Sequence, residues 1–247
     1  MNILFLELKD LVKNGMMKTQ LIVHRGFWKS QPGTSENSIQ ALKNAQKLKV
    51  YGSEFDVQMT KDEKLIVFHD EQIGDLEIAE TDFDILKKVK LSNAKSIPRL
   101  EDYFIQGQKF PNCKLIVELK PSKNQILEEV MVRKTMDLIQ KYNIESQCEI
   151  ISFSLHICCK IKEINPKMLV YYLNGNLAPN ALKKLGLDGF DYDYEILLEH
   201  LDWIAEARKI GLKTNAWTVD DAEVYQKLVN ANIDFVTTNT PDIFLNE

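Results

Sequence analysis

From residue 21 onward, short apolar runs with strand character alternate with longer runs of helical character. The strand-like runs fall near 21–24, 52–57, 114–120, 147–153, 168–173, 188–192, 212–218 and 234–238. Such alternation is the pattern of a parallel sheet whose strands are joined by helical crossovers. Eight strands of this kind can close into a barrel, which needs about 250 residues in one domain, and the chain has 247. A ninth run, 64–69, follows the second strand through only Thr60-Lys61-Asp62-Glu63. That link is far too short for a parallel crossover, so the run is expected to fold back as an antiparallel arm. The expected fold class is therefore α/β: a single-domain eight-stranded barrel with an antiparallel arm and a short helical insertion after the second barrel strand.

The helices expected between strands are 38–48, 125–142, 154–164, 179–185, 195–210 and 220–230. Ser154, Pro179 and Asp220 suit helix starts, and Gly186 and Gly211 fall just past helix ends, where a left-handed residue is needed. Two further short helices are expected between His69 and Lys114, opened by Thr81 with Asp84 three residues on, and by Pro98. The barrel domain is expected over 18–247. Residues 1–17 read as an N-terminal extension, because Met16 and Met17 offer a later start; a native N-terminus at Met1 would reject that reading.

Composition narrows the partners. With 31 Lys and Arg against 36 Asp and Glu, the net charge of −5 gives no support to nucleic acid, which asks for a basic face. No run approaches the length of a membrane span, so stable membrane insertion is not expected. The first stretch lacks the basic start and cleavage site of a signal peptide, which favours the cytoplasm, or the periplasm or exterior if a leader is missing. Cys113, Cys148, Cys158 and Cys159 lack paired C-x-x-C spacing and read as reduced, mostly buried thiols. Nothing in the sequence fixes an oligomeric state.

Four strand-like runs carry charges at or near their ends: Leu21-Ile22-Val23-His24-Arg25-Gly26, Ser53-Glu54-Phe55-Asp56-Val57, Leu65-Ile66-Val67-Phe68-His69-Asp70 and Leu115-Ile116-Val117-Glu118-Leu119-Lys120. Unpaired buried charge is costly, so these groups need compensation. Glu54 and Asp56 are two apart on a strand and leave the same face, roughly 7 Å apart; Glu118 and Lys120 share the same parity. Three oxygen donors without clustered sulfur or imidazole suit a hard cation, Mg²⁺ or Ca²⁺. An exposed edge strand is the plainer reading of an isolated E-x-D. His24 and His69 have the chemistry of a general acid and general base near neutral pH, whereas His156 and His200 look structural. Arg25 and Lys120 can hold a phosphate. With both imidazoles neutral, three carboxylates, one divalent cation and two basic side chains leave one net positive charge, the complement of a phosphodiester.

Together, His24-Arg25-Gly26, Ser35-Glu36-Asn37-Ser38, the stretch from Glu54 to Asp70 and Val117-Glu118-Leu119-Lys120 resemble the glycerophosphodiester phosphodiesterase family. Ile151-Ser152-Phe153, Trp217-Thr218-Val219-Asp220 and Thr237-Thr238-Asn239-Thr240-Pro241 extend the resemblance over about residues 20–243. It implies a TIM barrel, one divalent cation on Glu54, Asp56 and Glu118, and acid–base histidines at His24 and His69. It also implies that Arg25 and Lys120 hold phosphate, that Glu36 lines the pocket and that Trp217 packs against the alcohol portion. The chain departs from the family pattern at Ser35, at Asn239 and along Glu71-Gln72-Ile73-Gly74-Asp75-Leu76, which is expected to form one wall of the pocket.

The expected activity is metal-dependent hydrolysis of a small glycerophosphodiester to sn-glycerol 3-phosphate and an alcohol. Attack by the neighbouring glycerol hydroxyl through a cyclic phosphate is attractive on proximity grounds, with direct attack by water the alternative. The rivals are a lysophospholipase D or sphingomyelinase D activity, a metal-free phospholipase C with a basic side chain in the cation's place, and a non-catalytic phosphate-binding barrel.

Overall fold

The computed structural model describes residues 18–245; the expected extension at 1–17 lies outside the described residues. In chain order the strands are β1 (Gln20–Val23), β2 (Gly52–Met59), β3 (Leu65–Val67), β4 (Gln72–Ile73), β5 (Leu76–Glu77), β6 (Lys114–Leu119), β7 (Cys148–Ser152), β8 (Val170–Tyr172), β9 (Gly189–Asp193), β10 (Lys213–Trp217) and β11 (Phe235–Thr238). Eight of them pair in parallel in the order β1-β11-β10-β9-β8-β7-β6-β2, and β2 bonds back to β1 to close the ring. The fold is an α/β TIM barrel. The arm is present as β3, antiparallel to β2 with Val57 opposite Val67 and Met59 opposite Leu65. It takes over the edge of β2 beyond Gly52 and Ser53, where the pairing to β1 lies, so it delivers its end to the mouth of the barrel above β1.

Strand parity sorts the side chains into two layers. Phe55, Val57, Val117 and Leu119 join the apolar layer between sheet and helices, while Ile22, Ile116, Ile151, Tyr171 and Phe235 form a separate cluster on the inward parity. Phe55 and Tyr103 are essentially fully buried with ring centroids 4.5 Å apart; each such side chain contributes on the order of 1.5–3 kcal/mol by burial. That packing fixes the face on which Glu54 and Asp56 emerge.

The helix starts follow the punctuation with local shifts. Ser38 and Ser154 cap helices Ile39–Lys47 and Leu155–Ile164, accepting from the N–H groups of Ala41 and Ile157. At 220–230 the cap is Asp221, whose carboxylate takes two N–H groups of the first turn of Ala222–Asn230, and Asp220 is left free for other work. Thr81 ends a short turn at Ile78–Glu80 rather than starting the helix, which runs Phe83–Leu86 after Asp82. The helix expected from Pro98 is Leu100–Gly107, opened by Asp102, whose carboxylate accepts from the Arg99 N–H and guanidinium. The single helix expected at 195–210 is two, Tyr194–Glu199 and Asp202–Lys209. His200 leaves the helical region at φ −129° and ψ 50° and stacks on Trp203 at 4.3 Å, a break that a periodicity cannot register. The segment after His69 forms the small hairpin β4–β5. All four cysteines are free, and three are buried.

Candidate active site

β1 ends at Val23, and the chain turns through Arg25 at φ 54° and Gly26 at φ 76°. The second position admits only glycine, since a Cβ there would lie 2.7 Å from the carbonyl carbon and Cβ of Ala41, in a backbone region that side chains disfavour. This turn directs the Arg25 N–H to Glu54 Oε2 at 2.9 Å. It also sets the guanidinium between Asp56 (Nε to Oδ2, 3.3 Å) and Glu36 (Nη1 to Oε2, 3.2 Å). Glu36 thus sits behind Arg25 and is not among the residues lining the cleft.

Glu54, Asp56 and Glu118 come together as the sequence parity implies. Asp56 pairs with Glu118 in register across β2 and β6. One oxygen from each of the three lies within 4.8 Å of the others, and all three residues are buried. Lys120 continues the ladder, its N–H bonding to the Val57 carbonyl, and its Nζ lies 2.7 Å from both Asp56 Oδ1 and Glu118 Oε1. Asn37, at φ 53°, donates to Asp56 Oδ2 at 2.7 Å and accepts from the Asp56 N–H at 3.2 Å.

Burial drives the carboxyls apart in acidity. It raises Glu54 well above the usual carboxylate range, with the neighbouring Asp56 and Glu118 pushing the same way. Burial and Asp56 raise Glu118 to about 7, against the pull of Lys120. Asp56 resists burial because Lys120, Arg25 and Asn37 hold it down at about 2. Two basic side chains therefore do not neutralise three acids, and Glu54 Oε1 is buried without a partner. An all-oxygen donor set with an orphaned oxygen fits a hard divalent cation. A wholly metal-free design, with Lys120 as the sole substitute, leaves that oxygen unserved.

The histidines arrive from different elements. His24 follows β1; its Nδ1 donates to Asn239 Oδ1 at 2.8 Å, and its Nε2 lies 3.9 Å from Glu54 Oε2. Asp220 orients that amide by accepting from Asn239 Nδ2 at 3.0 Å and from the Asn239 N–H at 2.8 Å. Burial, aided by Arg25, lowers His24 to about 4, so the ring is neutral at pH 7 with Nε2 free to accept a proton. His69 follows the arm, a third exposed, with Nδ1 donating to Asp70 Oδ1 at 2.7 Å. Gln58, the next inward residue of β2, donates to the carbonyls of Phe68, His69 and Asp70 and ties the arm to the barrel.

A cleft of about 140 Å³ joins these groups. His24, Arg25, Glu54, His69, Glu118 and Lys120 line one side; Ile151, Phe153, Leu173, Trp217, Asp191 and Thr237 line the rest. Trp217 meets Phe153 edge-on at 5.6 Å and donates from Nε1 to the Asp191 carbonyl at 2.9 Å. Asp191 is 2% exposed, and burial pushes its carboxyl up to about 8. The sequence predicts no site role for Asn37, Gln58, Asp191, Asp220 or Asn239. Inward parity on β2 and β9 was available as a signal for Gln58 and Asp191. Asn37, Asp220 and Asn239 sit in loops, where no periodicity points.

The fold and cleft define a TIM barrel with three buried carboxyls and two histidines gathered at one end of its strands, a donor set of the kind a phosphodiesterase uses. Residues 24–243 match the glycerophosphoryl diester phosphodiesterase family, and the chain belongs to it; by family it is a glycerophosphodiester phosphodiesterase. A glycerophosphodiester phosphodiesterase from Parabacteroides distasonis superposes with a TM-score of 0.92 at 36% identity, over 94% of this chain and 97% of that one. A curated glycerophosphodiester phosphodiesterase from Caldanaerobacter subterraneus is 29% identical over 93% of this chain and 98% of its own. An Oleispira antarctica phosphodiesterase, solved with its product sn-glycerol-3-phosphate, shares the fold with a TM-score of 0.79 at 21% identity, covering 93% of this chain and 96% of its own. Among the described residues, no helix is long and apolar enough to cross a membrane.

Proposed function

We propose that the protein hydrolyses glycerophosphodiesters to sn-glycerol 3-phosphate and a free alcohol, using one divalent cation and the two histidines. The observation that carries this reading is the meeting of Glu54 and Glu118 with His24, His69, Arg25 and Lys120 around one cleft, with an Asp56 oxygen within 4.8 Å of both carboxyls. The relative solved in complex with sn-glycerol-3-phosphate supports the product. Glu54, Asp56 and Glu118 would hold the cation. When bound, it supplies Lewis-acid neutralisation of phosphate charge and acidifies a hydroxyl beside it.

Arg25 and Lys120 bind the non-bridging phosphate oxygens, with Glu36 keeping the guanidinium in place. Trp217 packs against the carbon skeleton of the glycerol unit. His24, neutral and deep beside the carboxylates, takes the proton of the attacking hydroxyl at Nε2; Asn239, held by Asp220, keeps the proton on Nδ1. His69 stands nearer the mouth and protonates the departing oxygen from Nε2. Asp70 steadies it through Nδ1, and a carboxylate partner keeps an imidazole oriented for such transfer.

Purified protein incubated with sn-glycero-3-phosphocholine is expected to yield sn-glycerol 3-phosphate and choline by phosphorus NMR, and EDTA is expected to stop the reaction. Release of phosphocholine, or indifference to EDTA, contradicts the reading. His24→Ala and His69→Ala are each expected to cost at least about a hundredfold in turnover. A p-nitrophenyl ester, whose leaving group needs no proton, is expected to restore much of the loss in His69→Ala and none in His24→Ala. The reverse pattern exchanges their roles.

A further inference from the structure

We infer that Asp191 reads the free primary hydroxyl of the substrate's glycerol unit and thereby selects deacylated glycerophosphodiesters over acylated lysophospholipids. The inference rests on the proposed function and adds a specificity residue to it.

Asp191 lies on β9, four strands from β2 in either direction around the ring. It therefore faces the Glu54 and Asp56 side from across the barrel. Among the described residues lining the cleft it is the one carboxyl outside the cation cradle. The Asn215 side chain hydrogen-bonds the carboxyl and pulls its pKa down against burial, but Oδ1 is buried without a partner of its own. Buried polar atoms almost always have partners, so an orphan in a cleft wall is a place where a ligand completes the set.

The surroundings say which ligand. Ile151, Phe153, Leu173 and Trp217 make the nearby wall apolar or aromatic, a surface for a carbon chain with a polar group at its end. Trp217 is pinned to the Asp191 carbonyl, so the indole and the carboxyl are presented together. At about 140 Å³, the cleft is smaller than the roughly 300–1,000 Å³ of drug-sized sites, and it suits a three-carbon polyol with its phosphate. With phosphate held by Arg25 and Lys120, the far end of that polyol points to β9. A carboxyl kept largely neutral by burial also avoids repelling the phosphate. Acylation of the primary hydroxyl removes the donor and sets an ester and its chain against a buried acid.

The test compares three substrates with the full chain and added Mg²⁺ or Ca²⁺: sn-glycero-3-phosphocholine, its analogue lacking the primary hydroxyl, and a short-chain 1-acyl lysophosphatidylcholine. Wild type is expected to prefer the first by at least about a hundredfold in kcat/KM, as sites built to bond a hydroxyl do. In Asp191→Ala the preference over the deoxy analogue is expected to fall below about fivefold, the loss falling on the natural substrate. Asp191→Asn, which still bonds a hydroxyl, is expected to retain more than tenfold. Calorimetric cation binding is expected to be unchanged in both variants.

An unchanged substrate ratio in Asp191→Ala overturns the inference, as does a uniform loss on all three substrates, the mark of a merely structural role. Wild type that does not discriminate overturns it without any variant. Absence of glycerophosphocholine hydrolysis overturns the proposed function itself, an outcome distinct from hydrolysis without discrimination.

Discussion

Replacing Asp220 by Asn tests the support behind His24 through both stability and catalysis. The carboxylate accepts from the Asn239 N–H, Asn239 Nδ2, Thr238 Oγ1 and Lys29 Nζ at 2.8–3.0 Å. Burial alone would raise its pKa, but these donors outweigh it and hold it at about 2, against an ordinary 3.8. A depression of that size corresponds to at most about 2.5 kcal/mol at neutral pH. The side chain is 30% exposed, and solvent screening reduces the figure to about 1 kcal/mol. Because the folded pKa is the lower one, this stability is present above about pH 4 and is lost as pH falls toward 2. Asp220→Asn is therefore expected to lower Tm by about 2–4 °C at pH 7, with the difference shrinking below pH 4. Thermal or urea unfolding across pH, down to the lowest value at which both proteins still fold, measures this. The freed Asn239 amide no longer fixes the His24 tautomer, so kcat is expected to fall at least about tenfold with little change in KM. A stability difference independent of pH, or an unchanged kcat beside a lowered Tm, would refute the argument.

Three further outcomes follow from the geometry. Gly26→Ala forces a Cβ to 2.7 Å from Ala41 at positive φ and is expected to cost about 2–4 kcal/mol, read as a fall in Tm with loss of turnover. Asn37→Ala removes both hydrogen bonds to Asp56 and is expected to weaken calorimetric cation binding about 10–100-fold; unchanged affinity would show that Asp56 needs no support. Lys120→Met leaves the buried Asp56 and Glu118 without their ammonium partner and is expected to destabilise the metal-free protein by about 3–5 kcal/mol. Added Ca²⁺ or Mg²⁺ is expected to recover much of that loss in a melting curve, and no recovery would argue against a cation between those carboxylates.

Much of the cleft was legible along the chain because strands impose a period of two. Glu54, Asp56, Glu118 and Lys120 could be assigned to one face from spacing alone, and the shortness of 60–63 marked 64–69 as a returning arm. Helix existence was legible from alternation, but the break at His200 and the shift of the cap from Asp220 to Asp221 were not. Both depend on one residue's backbone angles and on neighbours distant in sequence.

The sequence by itself determined the barrel, since eight apolar strand runs separated by helical crossovers can bury their faces in few other ways. It also determined which side chains share the inward face, because alternation is a local property. Only the tertiary structure decided how those groups are paired. Closure of β2 onto β1 brought Arg25 to Glu54 and Asp56 from 29 and 31 residues away along the chain. Meeting of β1 with β11 brought Asn239 to His24 across 215 residues. Ring geometry set Asp191 opposite the carboxylate cradle. Hydrogen bonds and charge pairs act over a few ångströms, and chain folding alone sets which distant residues come that close.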